Sequence, residues 1–147
     1  MNIIQNWHPA ASAFPLMRGD EFQKFVADIR ANGVRKPIEI YDGERWPEYK
    51  GHGIDGRNRL AACQAVAIDP PVKLLADSDV GESLTAYIVS LNAARRHLTS
   101  SQAATVGVIV KRQLEVEAKK RRQANLKRGD ESPEPQFIAV REISHKN

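Results

Sequence analysis

The sequence predicts an α+β fold, in which a small mixed β-sheet packs against helices and is followed by a basic helical extension. Apolar residues recur at spacings of three and four in several segments, which is typical of amphipathic helices. Short strand-forming segments lie at residues 37–55 and 72–75, and an all-helical bundle does not account for them. The chain has 147 residues, enough for one compact domain with an appendage.

Composition excludes several classes of protein and shows where the excess charge lies. Hydrophobic residues make up 41% of the chain and charged residues 27%, as in ordinary globular proteins. No apolar run is long enough to span a bilayer and no signal peptide is evident, so no membrane partner is expected. A single cysteine excludes an internal disulfide framework and favours a cytoplasmic location. The net charge is +4, and residues 111–128 hold eight Lys or Arg against two Glu.

The chain is predicted to begin irregularly and then to form a helix. His8 and Phe14 each precede a proline, which disfavours helix and predicts an extended start over residues 1–18. Asp20 is expected to cap a helix with an apolar face, and Gly33 is expected to end it.

Two extended segments then lead to a short helix. Residues 37–41 alternate as in a half-buried strand, with proline tolerated at the first position. An Asp-Gly turn leads into a second extended segment over residues 44–55, whose glycines permit close backbone approach. Residues 57–67 are predicted to be helical, with Cys63 as a small residue on the buried side.

The second half of the chain is predicted to hold one strand and two helices. The strand lies at residues 72–75 and the first helix at residues 81–92. Thr99 and Gln102 fit a capping box, so a second, longer helix is expected to begin there and to continue to about Asn125.

The segment from Gly53 to Cys63 carries the strongest functional pattern in the chain. It reads Gly-Ile-Asp-Gly-Arg-Asn-Arg-Leu-Ala-Ala-Cys. Small residues at a helix start leave backbone N–H groups open to an anion, and the helix dipole favours negative charge there. Arg57 and Arg59 add forked cationic donors suited to phosphate oxygens. The pattern predicts a phosphate site, and an ordinary strand–turn–helix with surface arginines is the alternative.

Two further segments accompany the Asp-Gly-x-x-Arg box, which lies at residues 55–59. Residues 28–38 read Asp-Ile-Arg-Ala-Asn-Gly-Val-Arg-Lys-Pro-Ile, and residues 92–99 read Asn-Ala-Ala-Arg-Arg-His-Leu-Thr. Together with the Asp-Gly-x-x-Arg box, and in this order, they resemble the ParB/sulfiredoxin superfamily of nucleotide-binding domains over about residues 5–105. The resemblance implies a ParB/sulfiredoxin-like domain over residues 1–97, a basic helical extension over 98–128, and a polar linker with the start of a helix-turn-helix region over 129–147.

The resemblance also implies ligands and partners. These are a nucleoside triphosphate (CTP or ATP), Mg²⁺, DNA of a bacterium, plasmid or phage, and a second copy of the chain in a homodimer. In relatives the glycine and arginine of the box bind phosphate, and they match Gly56 and Arg59. The residues that the resemblance and the box place around the nucleotide are Pro37, Asp55, Gly56, Arg57, Asn58, Arg59 and Arg95, with Asn92 near the magnesium ion.

The chain also departs from the family pattern. Arg57 and Asn58 stand where partition proteins of the family have glutamate and arginine, and Leu91 replaces the glutamate before the metal-linked asparagine. CTP specificity and the partition clamp mechanism are therefore not carried over. Sulfiredoxin catalysis is not expected either, because it needs a cysteine inside the phosphate loop and Cys63 lies four residues past Arg59.

The excess positive charge predicts a DNA-binding segment. Its centre is the run Lys119, Lys120, Arg121 and Arg122, whose cations suit phosphate backbones without regard to base sequence. A solvated helix end, where cations complement the dipole, is the alternative.

No catalytic residue can be assigned from the sequence. Glu39, Glu44 and Glu48 are available as a catalytic base, and His8 and His52 could transfer protons. The nucleotide is expected to gate dimerisation or DNA binding. Two alternatives remain: an enzyme that uses the same phosphate site, as a slow NTPase, nuclease or kinase, and a module that binds no nucleotide.

Overall fold

A computed structural model describes residues 4–93 and 97–130, which form an α+β fold around a three-stranded mixed sheet. The predicted α+β class with a small mixed sheet is thus confirmed. No helix of this described part is long and apolar enough to cross a membrane. The helices are α1 (Pro9–Ala13), α2 (Gly19–Asn32), α3 (Arg57–Ala65), α4 (Asp77–Val80), α5 (Leu84–Ala93) and α6 (Ser100–Asp130), and the strands are β1 (Ile38–Tyr41), β2 (Gly53–Asp55) and β3 (Val72–Leu75).

Strand β1 lies in the centre of the sheet, antiparallel to β2 and parallel to β3. The parallel pair needs a crossover connection, and helix α3 lies within it. Glu39 of β1 is in register with Asp55 of β2, which places two acidic residues side by side. On the far side of β2, Gly53 bridges to Trp7, and a Cβ there would lie 2.5 Å from the Trp7 ring. Only glycine fits at this position.

Apolar side chains fill three clusters around the sheet. The largest contains Tyr41, Ile54, Leu84 and Ile88, all fully buried, between the sheet and helices α1 and α5. A smaller cluster joins helix α2 to helix α3 and contains Cys63, as expected. A third covers Ile38 and Ile40 of β1. The sheet and helices therefore hold the start of α3 in a fixed position.

The extended start predicted for residues 1–18 is wrong in part, because residues Pro9–Ala13 form helix α1. The rule for residues before proline holds at His8 and Phe14, whose ψ angles of 140° and 136° are extended. Pro9, however, occupies the first turn, where proline is favoured. The His8 Nδ1 accepts a hydrogen bond from the Ala10 N–H at 3.0 Å and caps the helix.

The predicted strand over residues 44–55 is also wrong in most of its length. Only Gly53–Asp55 is a strand, and a single 3₁₀ turn occupies Pro47–Tyr49. The Asp77 carboxylate holds the preceding loop, because it accepts hydrogen bonds from the Tyr41 hydroxyl at 2.5 Å and from the N–H groups of Glu44 and Arg45.

Local capping signals gave mixed results. The box at Thr99 and Gln102 is confirmed, with reciprocal hydrogen bonds of 3.0 and 3.2 Å. Gly33 ends helix α2 with a φ of 74°, as expected. Asp20 does not cap this helix, because Arg18 is the N-cap residue and Asp20 lies in the first turn. The helix predicted over 81–92 begins later, at Leu84, since Gly81 with a φ of 72° ends the short helix α4.

Helix α6 packs along α1 and α5 up to Lys120, and its last turns project into solvent. Glu117 is the main polar anchor: its side chain is buried and caps helix α5 from outside. It accepts hydrogen bonds from the Ser83 hydroxyl at 2.6 Å and from the Thr85 N–H and hydroxyl at 2.9 and 2.7 Å. The Tyr49 hydroxyl donates to Gln113 at 2.9 Å and adds a second contact to the same face.

We expect Glu117→Ala to lower the free energy of unfolding by about 3 kcal/mol, because buried donors at the start of α5 would lose a charged acceptor. Urea unfolding followed by circular dichroism measures this. Glu115→Ala is the matched control, since Glu115 lies two residues earlier in the same helix and is exposed. It should change stability by less than about 0.5 kcal/mol. Equal effects of the two changes would contradict the capping role.

Stability is also expected to depend on pH through His8. Burial, and to a smaller extent His52, lower the pKa of His8 to about 4, against a weaker opposing effect of Glu48. The unfolded chain therefore takes up a proton below pH 6.5 that the folded protein does not, and stability falls as the pH drops from about 6.5 towards 4. The expected loss between pH 7 and pH 4 is roughly 3 kcal/mol.

Urea unfolding at several pH values tests this. His8→Asn retains a side-chain acceptor for helix α1 but does not titrate in this range, so its stability curve should be flatter. His97→Gln removes an exposed histidine and should keep the wild-type slope. A slope that survives His8→Asn would contradict the assignment.

Candidate functional site

A cavity of about 630 Å³ opens at the N-terminal end of helix α3. It brings together residues from the box, from helix α2, from the segment after α1 and from the start of α6. The lining residues in the described part are Pro15, Leu16, Met17, Glu21, Phe25, Asp28, Ile29, Gly33, Val34, Arg35, Lys36, Asp55, Gly56, Arg57, Asn58, Arg59, Asn92, His97, Leu98 and Gln102. Six of the eight residues predicted around the nucleotide and metal are thus in one cavity.

Gly56 is the N-cap residue of helix α3, with a left-handed φ of 118°. It has no side chain that could cap the helix. The first hydrogen bond of the helix runs from the Leu60 N–H to the Gly56 carbonyl at 2.8 Å. The N–H groups of Asn58 and Arg59 come before this bond and therefore have no acceptor within the helix. Within residues 4–93 and 97–130 no hydrogen bond from these N–H groups is observed, and such groups, together with the positive end of the helix dipole, favour an anion at this end of the cavity.

Arg59 lies over Gly56 and is mostly buried. Its Nη2 donates to Asp55 at 2.9 Å, and both side chains are 14% exposed. Its Nε is buried with no hydrogen-bond partner among the described residues. A Cβ at Gly56 would lie 3.1 Å from Arg59 Nη2, so glycine makes the room that the guanidinium occupies. The ion pair thus leaves the Arg59 Nε as a buried donor, on a residue that lines the cavity.

Arg57 and Asn58 line the cavity, and both also form hydrogen bonds with the backbone at the end of α1 or in the segment that follows it. Arg57 Nη1 donates to the carbonyl oxygens of Ala11, Ser12 and Phe14 at 3.3, 3.2 and 2.8 Å. The Asn58 amide oxygen accepts from the Met17 N–H at 3.0 Å. Both residues therefore lie at the predicted cavity, and these hydrogen bonds engage their side chains with backbone groups.

Amide and carboxylate groups lie at the cavity or next to it. Asn92 is buried at the cavity, where its amide nitrogen donates to the Ile88 carbonyl at 2.8 Å. Glu39 lies beside Asp55 and accepts from the Tyr87 hydroxyl at 3.1 and 3.2 Å. Burial, followed by the charges of Glu39 and Asp55, raises the pKa of Tyr87 to about 12. The described residues contain no group of three His, Cys, Asp or Glu that could hold a metal ion by itself.

The remaining predicted residues lie elsewhere or outside the described part. Pro37 is half-buried next to Lys36, which does line the cavity. Arg95 lies outside the described residues. Among the acid and base residues considered from the sequence, Glu48 contacts Lys120 at 3.2 Å, and His8 and His52 contact the Tyr49 ring instead of the cavity.

Sequence reasoning missed the wall that helix α2 contributes. Phe25 and Ile29 supply apolar surface, and Asp28 forms an ion pair with Arg35 at 3.0 Å at the cavity rim. A hydrogen bond from Asn32, together with Arg35, lowers the pKa of Asp28. The basic pair at residues 35–36, just before strand β1, was the sequence feature that could have indicated this side of the cavity. The apolar wall could not be distinguished from ordinary core residues by helical spacing.

The basic run on helix α6 is largely exposed, as a DNA-binding segment requires. Lys119, Arg121 and Arg122 are exposed, and residues 121–129 are exposed on all sides of the helix. Lys120 differs, because its ammonium group contacts the Glu48 carboxylate at 3.2 Å. The exposed cations surround the helix and do not form one face.

The chain matches no protein-family model, no curated protein and no solved structure. The function must therefore be inferred from the geometry of the cavity and of helix α6.

We expect Gly56→Ala to lower stability by about 1–3 kcal/mol, because alanine is strained at this φ and its Cβ would crowd Ile38 and Arg59. Urea unfolding gives the stability change. Gly107→Ala is the control: it lies in helix α6 with open space around it, so it should be neutral or stabilising by up to about 1 kcal/mol. Equal stability of Gly56→Ala and the wild type would contradict the tight fit.

Proposed function

We propose that the protein binds a nucleoside triphosphate (CTP or ATP) in the cavity at the start of helix α3 and engages DNA through the basic end of α6. The observation that carries the proposal is the buried Nε of Arg59, which has no acceptor among the described residues and lies beside a helix start without a side-chain cap from them. Both groups favour an oligophosphate. The volume of about 630 Å³ lies in the usual range for small-molecule sites.

The cavity also has a place for the rest of a nucleotide. Leu16, Phe25 and Ile29 provide apolar surface within the same cavity as Arg59. A ligand that combines a charged group with a flat, weakly polar group suits such a mixed lining. Inorganic phosphate alone would leave this surface uncovered.

The donor set fits a magnesium ion that arrives with the nucleotide. Mg²⁺ keeps several waters and uses one or two protein oxygens beside those of the phosphates. Asn92 and Asp55 offer an amide oxygen and a carboxylate at the cavity. A bound Mg²⁺ would neutralise phosphate charge, while Asn92 and Asp55 hold and orient its water shell.

Nucleotide binding is proposed to gate homodimerisation or DNA binding. Helix α1 supports this link, because it packs against α6 and its last carbonyls are held by Arg57 of the cavity. One short helix therefore contacts both the cavity residue Arg57 and α6. The exposed cations beyond Lys120 would contact DNA phosphates without base specificity, and the site of action would be the cytoplasm.

A thermal-shift panel with the four nucleoside triphosphates and Mg²⁺ tests the proposal. A ligand at 100 times its Kd stabilises the folded state by about 2.7 kcal/mol, so an increase in Tm of several degrees is expected with at least one nucleotide. No shift with any nucleotide would contradict nucleotide binding. Product analysis of the same mixtures, with and without DNA, separates binding alone from hydrolysis.

A further inference from the structure

The segment between helices α1 and α2 forms one wall of the cavity. Pro15, Leu16 and Met17 line the cavity, and none of them belongs to a helix or strand. A wall without secondary structure of its own depends on side chains from elsewhere to hold its shape. Two consecutive residues at the start of α3 supply such contacts.

Arg57 holds the beginning of this wall. Its guanidinium Nη1 lies 2.8 Å from the carbonyl oxygen of Phe14, the C-cap residue of α1, and within 3.3 Å of two earlier carbonyls. A cation at the C-terminal end of a helix satisfies carbonyls that have no partner in the helix. Phe14 itself is buried, which fixes the point from which the wall departs.

Asn58 holds the end of the wall. Its side chain is buried, and its amide oxygen accepts the Met17 N–H at 3.0 Å across 41 residues of sequence. The wall is thus attached at both ends to the helix turn that carries the anion site. Arg57 and Asn58 thus help to set its position relative to Arg59.

We infer that Arg57 and Asn58 are positioning residues that fix the 15–17 wall, and that this wall selects the part of the ligand other than the phosphates. This inference rests on the proposed nucleotide function. Arg59 and the helix N–H groups hold the phosphates, while Leu16 and Phe25 contact the nucleobase or ribose. Ligand selectivity and phosphate affinity then depend on different residues of one short turn.

The experiment compares two ligands, the preferred nucleoside triphosphate and inorganic tripolyphosphate, each with Mg²⁺, by isothermal titration calorimetry. Arg57→Met and Asn58→Leu should weaken nucleotide binding by about tenfold or more and change tripolyphosphate binding by less than about twofold. Arg57→Lys keeps a cationic donor near the carbonyls and should recover much of the nucleotide affinity. Arg59→Met should weaken both ligands.

Leu16→Ala provides a variant that acts on the wall itself. Leu16 is 39% exposed, so its truncation is expected to leave folding intact. It should lower nucleotide affinity and leave tripolyphosphate binding unchanged, which covers the case in which Arg57→Met does not fold.

Three results would be decisive. Equal losses for nucleotide and tripolyphosphate in Arg57→Met would show a phosphate contact and overturn the inference. Equal wild-type affinities for the two ligands would show that no wall selects the nucleoside, and would leave the phosphate site standing. Absence of binding by either ligand to the wild-type protein would instead refute the proposed function.

Discussion

Replacing Arg59 with methionine is expected to weaken nucleotide binding by roughly 10- to 100-fold. Methionine keeps the length of the side chain but removes the charge and the buried Nε donor. A hydrogen bond to a charged group is worth about 1.5–3 kcal/mol, and each 1.4 kcal/mol is a factor of ten in affinity. The Asp55 carboxylate would also lose one partner and repel the phosphates more strongly. Titration calorimetry with Mg²⁺ and the preferred nucleotide measures the change.

Arg30→Met is the matched control for this experiment. Arg30 is an exposed cation on helix α2 that does not line the cavity, so its replacement removes the same charge from another place. Its effect on nucleotide affinity should be smaller than about twofold. Comparable losses in the two variants would mean that net charge, and not the geometry at helix α3, determines binding.

Neutralising the exposed cations of helix α6 should have the largest effect on DNA binding. In the triple variant Lys119→Gln, Arg121→Gln and Arg122→Gln, three cations that can each displace a counterion from DNA are lost. The slope of log K against log salt should become shallower by about 3, and affinity at about 0.1 M salt should fall by about 500-fold. Lys120 is left in place because it contacts Glu48.

The control is a second triple variant with the same change of net charge. Lys24, Arg30 and Lys73 are exposed cations away from helix α6, and their replacement by glutamine should leave the salt slope nearly unchanged. Fluorescence anisotropy with a short duplex measures both slopes. An unchanged slope in the helix α6 variant would contradict the basic segment as the DNA contact.

The sequence predicted those parts of the fold that depend on nearby residues. Gly33 and the box at Thr99 and Gln102 act within four residues, and the structure confirms both. Helix α1 was missed because the two proline rules describe only the residues that flank it. The prediction of a strand over residues 44–55 failed for most of its length because Asp77, more than 30 positions away, holds the start of that segment in a loop.

In the candidate site, too, features set by neighbouring residues could be predicted and contacts between distant residues could not. Asp55, Gly56 and Arg59 could be found together because their pattern is contiguous, and they lie together in the cavity. The contacts of Arg57 could not be predicted, because its acceptors lie 43 to 46 positions earlier in the chain. The same sequence pattern, two arginines at a helix start, thus contains one residue that pairs with Asp55 at the cavity and one that holds backbone.

The most direct test of the phosphate site is a ¹⁵N NMR titration with Mg²⁺ and each nucleoside triphosphate. A phosphate at the start of helix α3 should shift the amide resonances of residues 56–59 most, with the Arg59 Nε resonance shifting as its buried N–H gains an acceptor. Resonances at the far end of α3 should move little. Amide resonances of residues 56–59 that stay in place at saturating nucleotide, or shifts confined to another surface, would contradict the account.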